Sequence, residues 1–239
     1  MRLFDYDSPL MQFLTKVANL MIINLLTILC CIPIVTAGAA LTAMHYMCLK
    51  MVRNEDGAIA KGYFVAFKEA LKQATGVWLV LLAFILVFLG DYVIVYHSGI
   101  EFPYWFQVSL LGIAIVILLV FMMVFPLMGK FYNTTFRTLK NALIISVAKF
   151  PITLLMIVMN AIPLVITIYF FQMFPLVLMF GMSLPAYGAA NLLNKYFMKL
   201  EEHILQAQGG NKETNQEEED ERIFHDQLDE SLVNYQQKK

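Results

Sequence analysis

The sequence predicts an all-α fold, a polytopic membrane helix bundle with about five transmembrane helices, cytoplasmic amphipathic helices and an acidic C-terminal tail. Three observations carry that expectation. The 239-residue chain is 59% apolar and 15% charged, with a mean hydropathy of +0.66, outside the range of ordinary soluble domains. Four long intervals hold no Asp, Glu, Lys or Arg: residues 17–49, 73–90, 102–129 and 150–194. The remaining charge is segregated, with 13 basic against 7 acidic side chains over residues 1–200 and 4 against 11 over residues 201–239.

A helical crossing of the hydrocarbon needs about 20 apolar residues. The first interval supplies a crossing near 17–37, the second near 75–96 and the third near 102–127. As a single helix the last interval would be about 68 Å long at 1.5 Å per residue, so it must fold back. Gln172-Met173-Phe174-Pro175 is its hairpin signal, giving crossings near 150–171 and 174–196. Residues 1–200 are thus the membrane bundle, and 201–239 the acidic cytoplasmic tail. Ala37 and Ala39 imitate a small-x-small cleavage site. Asp5 and Asp7 outweigh Arg2 ahead of the run, however, and the run is too long for a signal peptide, so the first helix is expected to stay uncleaved.

Basic residues gather on alternate connections. Lys50, Arg53, Lys61, Lys68 and Lys72 lie between crossings one and two, and Lys130, Arg137, Lys140 and Lys149 between three and four. Lys and Arg near helix ends are retained in the cytoplasm. These segments and the C-terminus are therefore expected inside a cell membrane, and the N-terminus outside. Tyr104 and Trp105 fall at the outer interfacial belt. Within the first inner segment, Tyr63, Phe64, Phe67, Ala70, Leu71 and Ala74 recur at helical spacing, opposite Lys61, Lys68, Glu69 and Lys72. That pattern predicts an amphipathic helix flat on the membrane, with Phe64 and Phe67 in the bilayer and Lys68 and Lys72 toward anionic headgroups. Residues 131–142 read as a weaker second version.

The run Leu29 to Met44, LCCIPIVTAGAALTAM, punctuates the first crossing. Ser8-Pro9 begins a helix well, and Pro33 then removes a backbone donor and bends it. Thr36 can supply a loosened carbonyl with a partner. Gly38 with Thr42, and Ala39 with Ala43, form a small-residue face for close packing. A structural bend is the plainer reading; the functional one is a broken-helix binding site of the kind transporters use, for which Pro163 and Pro185 are candidate counterparts that share no motif with it.

Catalytic signatures are missing from the sequence. It has no HExxH, GxSxG or phosphate-cradling glycine loop, and His45, His97, His203 and His225 are scattered, so no enzyme, cofactor or metal site is expected. Cys30, Cys31 and Cys48 form neither a disulfide framework nor a CxxC motif. Asp91, the acidic residue inside a crossing, is a functional candidate or a solvated carboxylate near the outer headgroups. Asn19, Asn24 and Asn160 are expected to make interhelical hydrogen bonds of about 1 kcal/mol each. Residues 206–222, QAQGGNKETNQEEEDER, read as a flexible linker. Phe224, Leu228, Leu232 and Tyr235 then give residues 223–235 a short amphipathic seam.

The run from Ser8 to Gly57, followed by YFVAFKEALKQATGVWLV, resembles the YesL-like family of bacterial integral membrane proteins, a domain of unknown function found mainly in Gram-positive bacteria. Asn24-Leu25-Leu26, Pro33 with Thr36 and Gly38, Phe64-x-x-Phe67-Lys68 and Lys72-Gln73-Ala74 carry the resemblance. It covers residues 8–80 most fully and continues to about residue 200. It implies a multi-pass protein encoded beside sugar-uptake permeases and sensor kinases, and supplies no catalytic residues. The expected role is an accessory or regulatory component of carbohydrate uptake or sensing. The alternative is a small transporter or channel using the Pro33 break and Asp91. Expected partners are the lipid bilayer and a sugar permease or sensor kinase; a homo-oligomer is left open, and nucleic acid is not expected.

Overall fold

In the computed structural model, which describes residues 9–55, 57–97, 103–131 and 134–209, the regular structure is helical throughout. The elements are α1 (Pro9–Cys31), α2 (Ala37–Arg53), α3 (Ile59–His97), α4 (Tyr104–Met128), α5 (Thr135–Ala148), α6 (Phe150–Tyr169), α7 (Phe174–Phe180) and α8 (Ser183–Gly209). Short 3-10 turns at Ile34–Thr36 and Phe171–Met173 join α1 to α2 and α6 to α7. Leu10–Cys31, Ile59–Ile94, Tyr104–Met128 and Phe150–Tyr169 are each long and apolar enough to cross a membrane. Phe171–Phe180 and Ser183–Glu202 meet at a bend of 51°; the pair makes a fifth if it is one broken span rather than a re-entrant loop. Large apolar side chains such as Ile32, Phe84, Leu111, Ile113 and Ile168 are more than half exposed, as a lipid-facing surface requires.

The core lies where α2 meets α1, α3, α4 and α8. Ala39, Ala40, Ala43, Cys48 and Met51 of α2 are wholly buried, and the small side chains of the three alanines let neighbouring helices approach. Met47, Tyr63, Val77, Met123 and Leu193 fill the spaces between them. Interior alanine and glycine set the spacing, and flexible methionines take up the irregular remainder.

The structure corrects the reading of the first punctuated run. Pro33 does not bend a continuous helix; it stands in a reversal, after which α2 returns alongside α1. Lys16 Nζ donates to Asn54 Oδ1 at 3.0 Å, joining a residue near the start of α1 to the one that caps α2. Asn54 takes the left-handed conformation (φ 55°), and its N–H reaches the carbonyls of Lys50 and Met51. The start of α1 and residues 50–55 therefore share one end of the bundle. The kink expected at Pro33, which would have set the start of α1 opposite residues 50–55, is thereby replaced by a turn: proline in an apolar run marks either equally well.

A second correction concerns residues 61–74, expected to lie flat on the membrane as a separate helix. They form the first part of the 39-residue α3 and run on without a break into the second crossing. Tyr63, Ala66, Ala70 and Ala74 are buried, and α2 covers this face in place of lipid. The expected linker 206–222 overlaps α8 as far as Gly209. The rest of the linker, the seam at 223–235 and Ser8 lie outside the described residues.

Candidate functional site

Three polar arrangements interrupt the apolar packing, and each is built by residues far apart in sequence. The first is the α1–α2 reversal. Pro33 is extended (φ −75°, ψ 111°), and the helical ladder stops at Cys31. The Thr36 hydroxyl lies 2.8 Å from Cys30 O and 2.9 Å from Pro33 O, so its single proton serves two carbonyls freed by the break. Trp78 Nε1 donates to Ile34 O at 2.7 Å, fixing the tip of the reversal midway along α3. Gly38 makes that contact feasible. A Cβ there would come 2.5 Å from Trp78 Cβ and 2.7 Å from Ala74 O, closer than real Cβ contacts come. Two residues on, the buried Tyr63 hydroxyl donates to Ala40 O at 3.2 Å.

The second arrangement surrounds the break between α7 and α8. Asn24 of α1 is completely buried. Its Nδ2 donates to Leu178 O at 2.8 Å, while its Oδ1 accepts from Met182 N and Ser183 N, both at 2.9 Å. One carboxamide thus satisfies the last turn of one helix and the first turn of the next, which a break inside hydrocarbon demands. From α2, Cys48 Sγ lies 3.8 Å from Ser183 O. His45 Nδ1, one turn before Cys48 on α2, and Ser183 Oγ are buried and have no hydrogen-bond partner among the described residues.

The third is a charged tie at the end of the bundle that holds Lys16 and Asn54. Arg53 Nε donates to Asn194 Oδ1 at 2.9 Å, and its terminal nitrogens reach both Glu201 carboxylate oxygens at 2.9 and 3.4 Å. Lys130 Nζ lies 3.3 Å from the same carboxylate. The three side chains are only 12–27% exposed, so these are partly desolvated contacts that fasten α8 to α2 and to the end of α4. Nearby, Lys149 Nζ sits 5.0 Å from the centre of the Tyr196 ring.

The sequence-derived candidates fall into separate places. Pro33, Thr36 and Gly38 form the reversal. Asp91 is half-buried on α3, 13 residues past Trp78 and about 20 Å along the helix axis, so the structure does not bring the reversal and this carboxylate together. Phe64 is 41% exposed, Phe67 is half-buried and stacked on Tyr63 with ring centres 6.5 Å apart, and Lys68 and Lys72 are exposed. Among the described residues no group of three or more His, Cys, Asp or Glu side chains could hold a metal ion. Asn24 makes interhelical bonds, whereas Asn160 Nδ2 donates to Met156 O of its own helix. Sequence reasoning missed the α7–α8 break and the Arg53–Glu201–Lys130 tie. Gly181-Met182-Ser183 before Pro185 was the available signal for the first; the second joins residues up to 148 positions apart and had none.

Residues 20–92 match the family described as "Protein of unknown function, DUF624". The match takes in the second half of α1, all of α2 and α3 as far as Tyr92. No curated protein and no solved structure matches the chain.

Proposed function

We propose that this is a non-enzymatic multi-pass protein of the cell membrane that works by contact, as an accessory or regulatory component of carbohydrate uptake or sensing. The observation that carries the reading is the basic end of the bundle. Lys61, Lys68 and Lys72 are exposed along the first part of α3, and Arg137 and Lys140 are exposed on α5. The Arg53–Glu201–Lys130 tie sits among them, so α8 hands the acidic tail over beside a basic surface. Positive-inside retention puts this end in the cytoplasm, together with the start of α1. The resemblance to the YesL-like family supplies the link to a sugar-uptake permease or sensor kinase. Crosslinking in native membranes, then affinity purification, tests it. Recovery of such a partner, reduced when Lys61, Lys68 and Lys72 become Glu, is the expected result; recovery of the protein alone overturns it.

A small transporter or channel is the second reading, and the buried, unpartnered Ser183 Oγ at a broken helix favours it. In this version the α7–α8 break takes the place of the Pro33 break and Asp91. Solute uptake into proteoliposomes, lost in Ser183→Ala and kept in Asp91→Asn, is its expected signature; uptake indifferent to Ser183→Ala removes it.

A further inference from the structure

We propose that the groove between α3, α4 and α5 binds one anionic membrane lipid, its acyl chain lying along the groove and its headgroup phosphate held by Lys140. The groove encloses about 680 Å³. Val80 and Phe84 form its α3 wall, α4 lines it from Ser109 to Val120, and Lys140 of α5 is the one charged residue in the lining.

Its depth comes from how α5 is seated. Gln73 Nε2 donates to Thr138 Oγ1 at 3.2 Å, and Thr135 Oγ1 lies 3.6 Å from where a Cβ on Gly76 would stand. The start of α5 thus crosses α3 where its charged residues give way to the uncharged stretch 73–90. That is the polar edge of the hydrocarbon, so Lys140 sits at headgroup level. From Val120 to Ser109 the groove follows α4 for 11 residues, about 16 Å. The groove is long enough for much of an acyl chain and has a cation in its lining.

The Ser109 end of the groove is apolar in effect. The Ser109 hydroxyl donates to Trp105 O at 2.9 Å and presents no unspent donor to a hydrocarbon chain. A Cβ on Gly112 would meet nothing within 4 Å, so the middle of the groove is open. Charge complementarity selects the occupant: a phosphatidylglycerol headgroup keeps a net negative charge beside Lys140, while a phosphatidylcholine headgroup carries its own cation. This inference rests on the membrane placement alone and stands or falls separately from the accessory reading.

The test uses the full chain, reconstituted in vesicles of equal phosphatidylglycerol and phosphatidylcholine, extracted gently and weighed by native mass spectrometry. Phosphatidylglycerol should be enriched among bound lipids. Lys140→Gln should lower that enrichment about fivefold, the usual worth of one cation at an anionic surface. Gly112→Trp should lose bound lipid of both kinds, and Lys61→Gln should leave the pattern unchanged. An enrichment indifferent to Lys140→Gln overturns the proposal. So does a Gly112→Trp protein that keeps its lipid but changes oligomeric state, since a second copy of the chain would then be the occupant.

Discussion

Gly38→Ala isolates the closest approach of α2 to α3. The new methyl group would stand 2.5 Å from Trp78 Cβ and 2.7 Å from Ala74 O. Neither atom is the far end of a flexible side chain, so the helices must part. Overpacking of this kind costs about 1–3 kcal/mol. Loss of the Trp78–Ile34 hydrogen bond adds about 0.5–1.5 kcal/mol, and the better helix propensity of alanine returns up to about 1 kcal/mol. The net destabilisation is then about 2 kcal/mol, or a fall of about 4–8 °C in the midpoint of a chain this size. Trp78 and Trp105 are the two tryptophans, so thermal unfolding of a Trp105→Phe background, followed by fluorescence, reports on the contact directly. Gly90→Ala is the control, because a Cβ at Gly90 meets nothing within 4 Å, and it should match or exceed the parent midpoint. Should Gly38→Ala unfold no earlier than Gly90→Ala, α2 and α3 do not meet through this glycine.

Asn24→Leu strands one carbonyl and two N–H groups at the α7–α8 break; a loss of about 3 kcal/mol is expected, with faster amide exchange at Met182 and Ser183 read by mass spectrometry. Unchanged exchange there would contradict the capping role. Arg53→Met should cost more than Glu201→Gln, about 2–4 against 1–2 kcal/mol after discounting for partial exposure, because Arg53 also holds Asn194. Thermal midpoints of the two single variants and the double variant decide this, and additive effects would mean that the residues are uncoupled. In a cysteine-free background, Lys16→Cys and Gly57→Cys should react with a membrane-impermeant thiol reagent from the same side of sealed vesicles. Labelling from opposite sides would rule out the α1–α2 reversal.

Length and charge alone were enough to predict an all-helical fold with four or five apolar spans, since a helix that crosses lipid must satisfy its own backbone and tolerates few charges. The face of residues 61–74 was legible too: Tyr63, Ala70 and Ala74 are the buried side, as their spacing implied, and Lys68 and Lys72 the exposed one. What covers that face was not legible. A helix stripe buries itself equally well against lipid or against a neighbour of complementary shape, and the run of alanines in α2 shows which applies only once the helices are placed. The reversal at Pro33 was hidden for a related reason. Its defining bond, Lys16 to Asn54, spans 38 residues, whereas every local signal in the run is shared by a kink. Asn24 announced itself as a polar residue needing company, but its partners lie more than 150 positions away.

That separation bears on how the protein is made. The carboxamide that holds α7 to α8 belongs to a helix made more than 150 residues before the backbone it serves. Until Ser183 has been made, the Asn24 side chain has none of these three partners, and the α7–α8 break takes its final form only when an early helix and a late one meet.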